Sequence, residues 1–493
     1  MLFNSLQFLV FFAVIFFAYY ELVPDRYRWI LLLAGSCYFY MAYIPSYILI
    51  LFGLIIVDYC MGRAIAGATG PRRRSFLIIS IIANLGALFF FKYFNFFNAN
   101  AAAIAHLIHW NYPLVILQIA LPLGLSFHIF QSLSYVIEVY RGKQQPEHNL
   151  GIYALYVMFF PQLVAGPIER PQHMLHQFHE PHSWNAQNVR RGLELMLWGF
   201  FKKMVIADSI AVLVDHVYGN VANLNGFTVL VAAVLFSYQI YCDFSGYSDI
   251  AVGSALVFGY DLTQNFNRPF SSTSIAELWR RWHISLSSWL RDYLYYPLAF
   301  AGKKITKLRL YLSMLITFTL IGLWHGANWT YVVFGALQGA FIVFSMLTVD
   351  LRKRVSELVG LMKRQRFLKA WQTFSVFVLF TGSLVFFRAD SVSQALQVFT
   401  KIRSAPLYAL NFLMHMHQAF TSEDMGIGIK SAAVIFIGII FMEWVQYIQA
   451  KQGSRFMFES KSRAWRWSWY YLLIFAILIC GNLGAQTFIY FKF

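Results

Sequence analysis

The sequence predicts an all-α polytopic membrane protein of about 11–12 transmembrane helices with re-entrant and interfacial segments between them. Three observations carry this. The 493 residues are 59% hydrophobic and only 12% charged, with 50 Phe, too little charge to cover a soluble surface. Apolar runs of about twenty residues recur, the length that crosses a hydrocarbon core. Lys and Arg gather in short loops between those runs, as cytoplasmic loops do, so the net charge of +17 speaks for topology and not for nucleic acid. Cys37, Cys60, Cys242 and Cys480 lie in or beside apolar segments without CxxC spacing, which suits buried thiols better than disulfides or a metal site. No soluble domain, low-complexity tract or internal repeat is visible. The chain reads as a single integral-membrane domain, 1–493, with N-terminal helices over 1–140, a core with re-entrant segments over 141–350, and C-terminal helices over 351–493.

The first run, 5–21, has no basic n-region and no small-residue cleavage site after it, so it predicts a retained helix and not a signal peptide. Arg26 and Arg28 mark an inner-side turn. Residues 29–45 and 46–62 are the next spans, split at Pro45-Ser46, with Asp58 near the end of the second. Arg72-Arg73-Arg74 is a strong cytoplasmic marker. Residues 75–97 then span outward, with Lys92 placed to snorkel. Residues 98–112 form a short interfacial segment with His106 and His109 on one face, and 113–140 returns inward. Pro122 and Gly124 interrupt that return, and Ser126, His128, Gln131, Ser132 and Ser134 follow. Such a segment is tolerated where it packs in protein or lines a cavity. VMFFPQLVAGPIERPQHM, 157–174, carries Pro161, Gly166, Pro167 and Pro171, and predicts a re-entrant segment with backbone amides freed inside the membrane. His173, His176, His179 and His182 recur at intervals of three, but no Cys or Asp completes a ligand set, and the neighbouring EPHSWN favours a surface loop.

Residues 192–214 carry Lys202-Lys203 and Asp208 on a half-buried helix. Residues 226–260 are long and enclose the polar cluster Asp243, Ser245, Tyr247, Ser248 and Asp249. Acids at that depth need partners, for which Arg280, Arg281 and Arg291 are the natural candidates, either in a functional site or in an ion-pair network that locks helices. Residues 261–309 lack a span. There Ser272-Thr273-Ser274 offers an N-cap before Glu277, and Trp279, Trp282 and Trp289 with the three arginines predict an amphipathic helix at the inner interface. Lys303, Lys304, Lys307 and Arg309 mark the cytoplasm. Residues 310–324 leave it and 329–349 return to Arg352-Lys353-Arg354, so His325 lies deep or toward the outer side. Ionisable groups held at membrane depth usually mark a substrate or proton path. His283, among Arg and Trp, is expected on the inner half, apart from His325. Residues 371–388 span out, 389–428 is external, and 429–449 and 469–490 are the last spans. Between them Lys461, Arg463, Trp465, Arg466, Trp467 and Trp469 suit an anionic inner leaflet.

FPQLVAGPIERP, YCDFSGYSDIAVG, NFNRPF, ELWRRWHISLSSWLRDYLY, LWHGANWTYVVFGALQG and the closing FIYFKF, 488–493, together resemble the membrane-bound O-acyltransferases (MBOAT), nearest the bacterial branch that contains an alginate O-acetyltransferase membrane subunit. The resemblance runs the length of the chain. It implies a helical bundle around a central tunnel, with an acyl donor entering from the cytoplasm and an acceptor from outside. Residue by residue, it implies His325, in LWHGAN, as the catalytic histidine and His283, in RRWH, as the second polar position. It further implies acetyl-CoA as donor substrate with no bound cofactor or metal, an extracytoplasmic polysaccharide as acceptor, a periplasmic SGNH-hydrolase-like acetyltransferase as partner, and the bacterial inner membrane as location.

Acyl transfer to a hydroxyl needs a base for its proton and a stabiliser for the carbonyl oxyanion, and imidazole titrates near working pH. On this reading His325 is the base and His283 assists. Trp324 and Trp329 shape the pocket, and Asn328 either donates to the oxyanion or orients His325. Arg280 and Arg281 attract the donor's phosphates, and Asp243 lines the donor side. The polymer stays open among alginate, peptidoglycan and cellulose. A secondary transporter or flippase is the competing class, since broken helices and intramembrane charges suit transport as well.

Overall fold

The computed structural model describes residues 1–302, 304–414, 425–456, 462–482, 484 and 488–489, and these form helices and loops with no strand among them. Lys303 and Lys461 of the expected basic loops, four residues of FIYFKF, and part of the 389–428 loop lie outside the described residues. Seven described helices are long and apolar enough to cross a membrane, and Leu6–Leu22 is a shorter apolar one. The all-α polytopic class therefore holds. Of the other expected spans, 29–45, 113–140 and 192–214 form helices shorter or more polar than a full span, and 469–490 lies partly outside the described residues.

The chain divides into two compact units, residues 1–196 with 250–263 and residues 197–249 with 264–493. The first opens with α1 (Leu6–Phe17), α2 (Arg28–Met41) and α3 (Tyr47–Gly67). Then α4 (Pro71–Leu88) and α5 (Phe94–Leu107) run on through a π-helical turn as one helix, Pro71–Leu107, of 37 residues. The span at 75–97 and the interfacial segment at 98–112 are thus one element. NANAAAIAHL offers no breaker, and alanine is the best helix former. Helix α6 (Leu125–Tyr140) starts at Gly124, whose φ of 70° and close approach to Leu163 O (2.5 Å from an added Cβ) leave room for glycine alone. Asp58 is wholly buried and accepts hydrogen bonds from Ser80 Oγ (2.6 Å) and Asn84 Nδ2 (2.9 Å).

After α7 (Leu150–Met158), the FPQLVAGPIER stretch runs buried without helix, as its prolines predict. Glu169 within it accepts from Thr263 N (2.6 Å), Thr263 Oγ1 (2.9 Å) and His173 Nδ1 (2.9 Å). Asp261 and Glu169 together hold the His173 imidazolium, pushing its pKa up to about 10. The four histidines at intervals of three therefore diverge in role. His173 pins this loop, His179 Nε2 meets Glu147 Oε2 (2.8 Å), and His182 Nε2 meets Gln177 O (2.8 Å). Helix α8 (Ala186–Phe200) begins in this unit, where Gly192 and Gly253 let two backbones touch.

The second unit takes up the chain in a π-helical segment, Phe201–Ala207, followed by α9 (Asp208–Gly219) and α10 (Gly226–Val257). Next come α11 (Ile275–Arg281), α12 (Ile284–Leu290), α13 (Lys307–His325), α14 (Trp329–Leu347), α15 (Gln365–Arg388), α16 (Val392–Arg403), α17 (Ile429–Gln452) and α18 (Arg463–Cys480). Helices α13 and α14 form a hairpin. Gly322 and Gly335 let it close, because a Cβ at either would run into the facing backbone at Tyr331 O or Phe318 O. The amphipathic interfacial helix expected around residues 275–290 is instead two short buried helices broken at Trp282-His283. Trp279, Trp282 and Trp289 are each at most 7% exposed, so all three face protein and not headgroups. The expected cap is present: Ser274 Oγ accepts from Glu277 N (3.1 Å), and Glu277 Oε2 reaches back to Thr273 N (2.8 Å).

Candidate active site

The site grows from the break between α11 and α12. His283 stands there at φ 44°, in the left-handed region that non-glycine residues rarely adopt. A strap from NFNRPF holds the break open. Ile284 N donates to Asn265 O (2.9 Å), Ser285 Oγ to Asn265 Oδ1 (2.7 Å), and Asn267 N to Arg281 O (2.9 Å). Asn265 Nδ2 in turn donates to Ser248 Oγ (3.3 Å) on α10. The imidazole is thereby fully buried, edge-on to Phe244 (ring centroids 4.6 Å apart) and 6.1 Å from the Trp324 ring.

His325 is the last residue of α13 and is 4% exposed. Its ring lies 5.0 Å from that of Trp324 and 5.1 Å from that of Phe387 on α15. Trp324 thus adjoins both histidine rings. The expectation that they occupy separate halves is corrected: the kink at His283 turns its side chain back onto the C-terminal end of α13. The wall behind them is tied across three helices. Trp279 Nε1 donates to Gln338 Oε1 (3.0 Å), and Gln338 Nε2 to Ser383 Oγ (2.6 Å).

Past His325 the chain turns through Gly326, where a Cβ would strike the Tyr331 ring. Asn328 caps α14 with Oδ1 (Thr330 N, 3.0 Å) and donates Nδ2 to Asp390 O (3.0 Å). Both ends of the amide are thus engaged, and Nδ2 keeps a second N–H. A cavity of about 380 Å³ adjoins the turn, lined among others by Gln239, Asn328, Tyr331, Arg388 and Asp390. Arg388 Nη2 sits 2.6 Å from Asp215 Oδ1 at its edge.

Asp243 does not meet the arginines proposed for it. Lys203 Nζ bridges Asp243 (2.6 Å) and Asp208 (2.8 Å), while Lys202 Nζ meets Asp249 (2.6 Å) and Ser245 Oγ (3.0 Å). The π-helical segment explains this, because its i→i+5 repeat aligns Lys203 with Asp208 and swings both lysines toward α10. Asp243 Oδ2 also accepts from Ile489 N (2.7 Å), so the acid braces the chain's last described residues, and its neighbour Phe244 covers His283. Arg281 pairs with Glu277 (2.7 Å) and Arg291 with Asp292 (2.9 Å), whereas Arg280 is exposed. Reading the sequence missed Asn265, Gln239 and the lysine pair as parts of this region. The doublet Lys202-Lys203 five residues before Asp208 was the available signal for the last.

The profile of the MBOAT, membrane-bound O-acyltransferase family matches residues 146–389, which include both histidines. The chain is 36% identical to the probable alginate O-acetylase AlgI of Pseudomonas aeruginosa over 84% of its own length and 77% of the relative's. It is 33% identical to the peptidoglycan O-acetyltransferase of Helicobacter pylori, over 74% and 72%. With the teichoic acid D-alanyltransferase of Bacillus subtilis it shares 30% over 43% of its length and 56% of the relative's. The chain belongs to the membrane-bound O-acyltransferase family and is a multi-pass membrane O-acyltransferase.

Proposed function

We propose that this protein works as one domain in the bacterial inner membrane, moving an acetyl group from cytoplasmic acetyl-CoA to hydroxyls of an extracytoplasmic polysaccharide. The polymer is alginate-like, and transfer is direct or runs through a periplasmic SGNH-hydrolase-like acetyltransferase. The observation that supports this most is the meeting of two buried histidines around Trp324, beside a cavity at the end of α13 opposite its basic start. His325 takes the proton of the acceptor hydroxyl as its oxygen attacks the thioester carbonyl. The tetrahedral adduct collapses, the carbon–sulfur bond breaks, and the thiolate leaves with the proton from the imidazolium. His283 positions the thioester on the other side of Trp324, and Asn328 fixes the turn that carries His325. The exposed Arg280, with Arg281 beside it, attracts the donor's phosphates, while Asp243 keeps the wall behind His283 in place.

His325→Ala tests the reading. Base-labile O-acetate on the cell's surface polysaccharides should fall about 10²- to 10⁴-fold, the usual worth of a positioned base, with the variant accumulating normally in the membrane. Wild-type O-acetate at that abundance would remove His325 from the chemistry. Reconstitution with and without the periplasmic partner then separates direct from relayed transfer, and measuring each polymer in turn identifies the acceptor among alginate, peptidoglycan and cellulose.

A further inference from the structure

A second cavity lies apart from the two histidines. It is a groove of about 640 Å³ between α10, α15, α17 and the turn at Phe270-Ser271. Its floor is aromatic. Tyr238 on α10, Phe270 in the turn and Phe377 on α15 have ring centroids 5.3 to 6.0 Å apart. The α15 wall changes character along one face. Arg366, Lys369, Thr373 and Phe377 all line the groove and follow at helical spacing, so they stack on one side of the helix. Lys369 and Phe377 are separated by about 12 Å of helix rise. Cations therefore sit at the N-terminal end of the groove and rings farther along it. No ion pair holds Arg366 or Lys369 among the described residues. Glu443, on α17, lines the groove as well. Around it Trp371, Phe374 and Val378 on α15, and Ile440 and Trp444 on α17, are exposed. Both helices are long and apolar enough to cross a membrane, so this flank faces lipid tails and not water.

We propose that this groove binds one anionic glycerophospholipid, phosphatidylglycerol in kind. Its phosphodiester lies on Arg366 and Lys369, and an acyl chain runs along Thr373 and Phe374 onto the rings of Tyr238, Phe270 and Phe377. The order of the wall, cation, then hydroxyl, then aromatic ring, follows the order of a phospholipid from its phosphate to its tail. Charge selects the head group. Two cations against one carboxyl leave a positive excess, which a zwitterionic head group does not meet and a singly charged phosphodiester does. A phosphate monoester, with up to two charges, would set its second one against Glu443. A head group ending in hydroxyls instead gives Glu443 a hydrogen-bond donor. The volume lies within the range of small-molecule sites, about 300–1,000 Å³, enough for the head group and the upper part of one chain.

The test uses the full chain purified in detergent. Phosphatidylglycerol or phosphatidylethanolamine is titrated in, the melting temperature is followed, and retained lipid is counted by native mass spectrometry. Phosphatidylglycerol should raise the melting temperature by about 2 °C or more, as binding to the folded state alone does, and should stay on as a retained adduct. Phosphatidylethanolamine should give less than about half of that shift. Glycerophosphoglycerol, the same head group without chains, should give none. Arg366→Gln combined with Lys369→Gln changes two exposed side chains and should erase the difference between the lipids. Lys353→Gln combined with Arg354→Gln, exposed on the neighbouring helix Val349–Leu358, should keep it. Should the first pair fail to accumulate, Lys369→Gln alone supplies the comparison. Equal shifts from both lipids, or an equal loss in both pairs of variants, would reduce the site to general surface charge and overturn the proposal. A shift from glycerophosphoglycerol as large as that from the lipid would remove the chain from the groove. A dimer that retains no lipid would make the groove an interface between two copies.

Discussion

His283 carries a backbone cost that only its surroundings sustain. A left-handed residue with a Cβ is strained by about 1–2 kcal/mol, and here the Asn265 strap, through Ile284 N and Ser285 Oγ, holds it there. Strain of this kind collects at functional sites. Two substitutions separate backbone from side chain. His283→Gly removes the imidazole and relieves the strain, whereas His283→Ala removes the imidazole and keeps it. The glycine variant should be the more stable by about 1 kcal/mol, seen as the higher melting temperature in detergent. Both should lose O-acetyl transfer alike. Activity retained by the glycine variant alone would make this position a hinge with no chemical role. Motif resemblance makes His283 visible in the sequence, but nothing in RRWHISL spells a left-handed residue. That conformation comes from contacts with residues 265–267, which lie sixteen or more positions away.

Among the elements, the helices legible in the sequence are those whose apolar run is unbroken. Residues 226–257, 307–325, 329–347 and 365–388 all emerge within a few residues of where hydropathy puts them. Hydropathy fails where buried surface is polar, and the segment at 201–207 is such a place: its π repeat has no hydrophobic signature, and its purpose is to present Lys202 and Lys203 to three acids. Likewise residues 275–290 look amphipathic only because tryptophan and arginine alternate there, while the tryptophans in fact pack into protein. The Lys203 network makes a prediction at this scale. Lys203→Met leaves Asp208 and Asp243 facing each other without a cation, and breaking a buried pair from one side costs about 3–5 kcal/mol. Membrane abundance and melting temperature should fall together. Adding Asp243→Asn removes one of the two stranded charges and should restore part of the loss. If the double variant is no better than the single one, Lys203 does not act by neutralising Asp243.

For the whole molecule, the decisive quantity is which face each end of the α13–α14 hairpin meets. Helix α13 has 19 residues, about 28 Å at 1.5 Å per residue, close to the roughly 30 Å thickness of a hydrocarbon core. Were Lys304 and Arg309 cytoplasmic, as the positive-inside rule proposes, His325 would come out near the outer margin and not at mid-membrane. Helix α15, which starts at the basic Gln365–Lys369 end, brings Arg388 to the cavity beside Asn328, which Asp390 also lines. An acceptor from outside would then reach His325 within a few ångströms of the surface, while a donor from inside would travel most of the membrane thickness. Single cysteines placed in a background without Cys37, Cys60, Cys242 and Cys480 test this arrangement. Leu396→Cys, at a position 56% exposed on α16, should react with a membrane-impermeant maleimide in intact spheroplasts. Lys304→Cys, also exposed, should react only after permeabilisation. The reverse pattern would invert the chain in the membrane and put the cavity beside His325 on the donor's side.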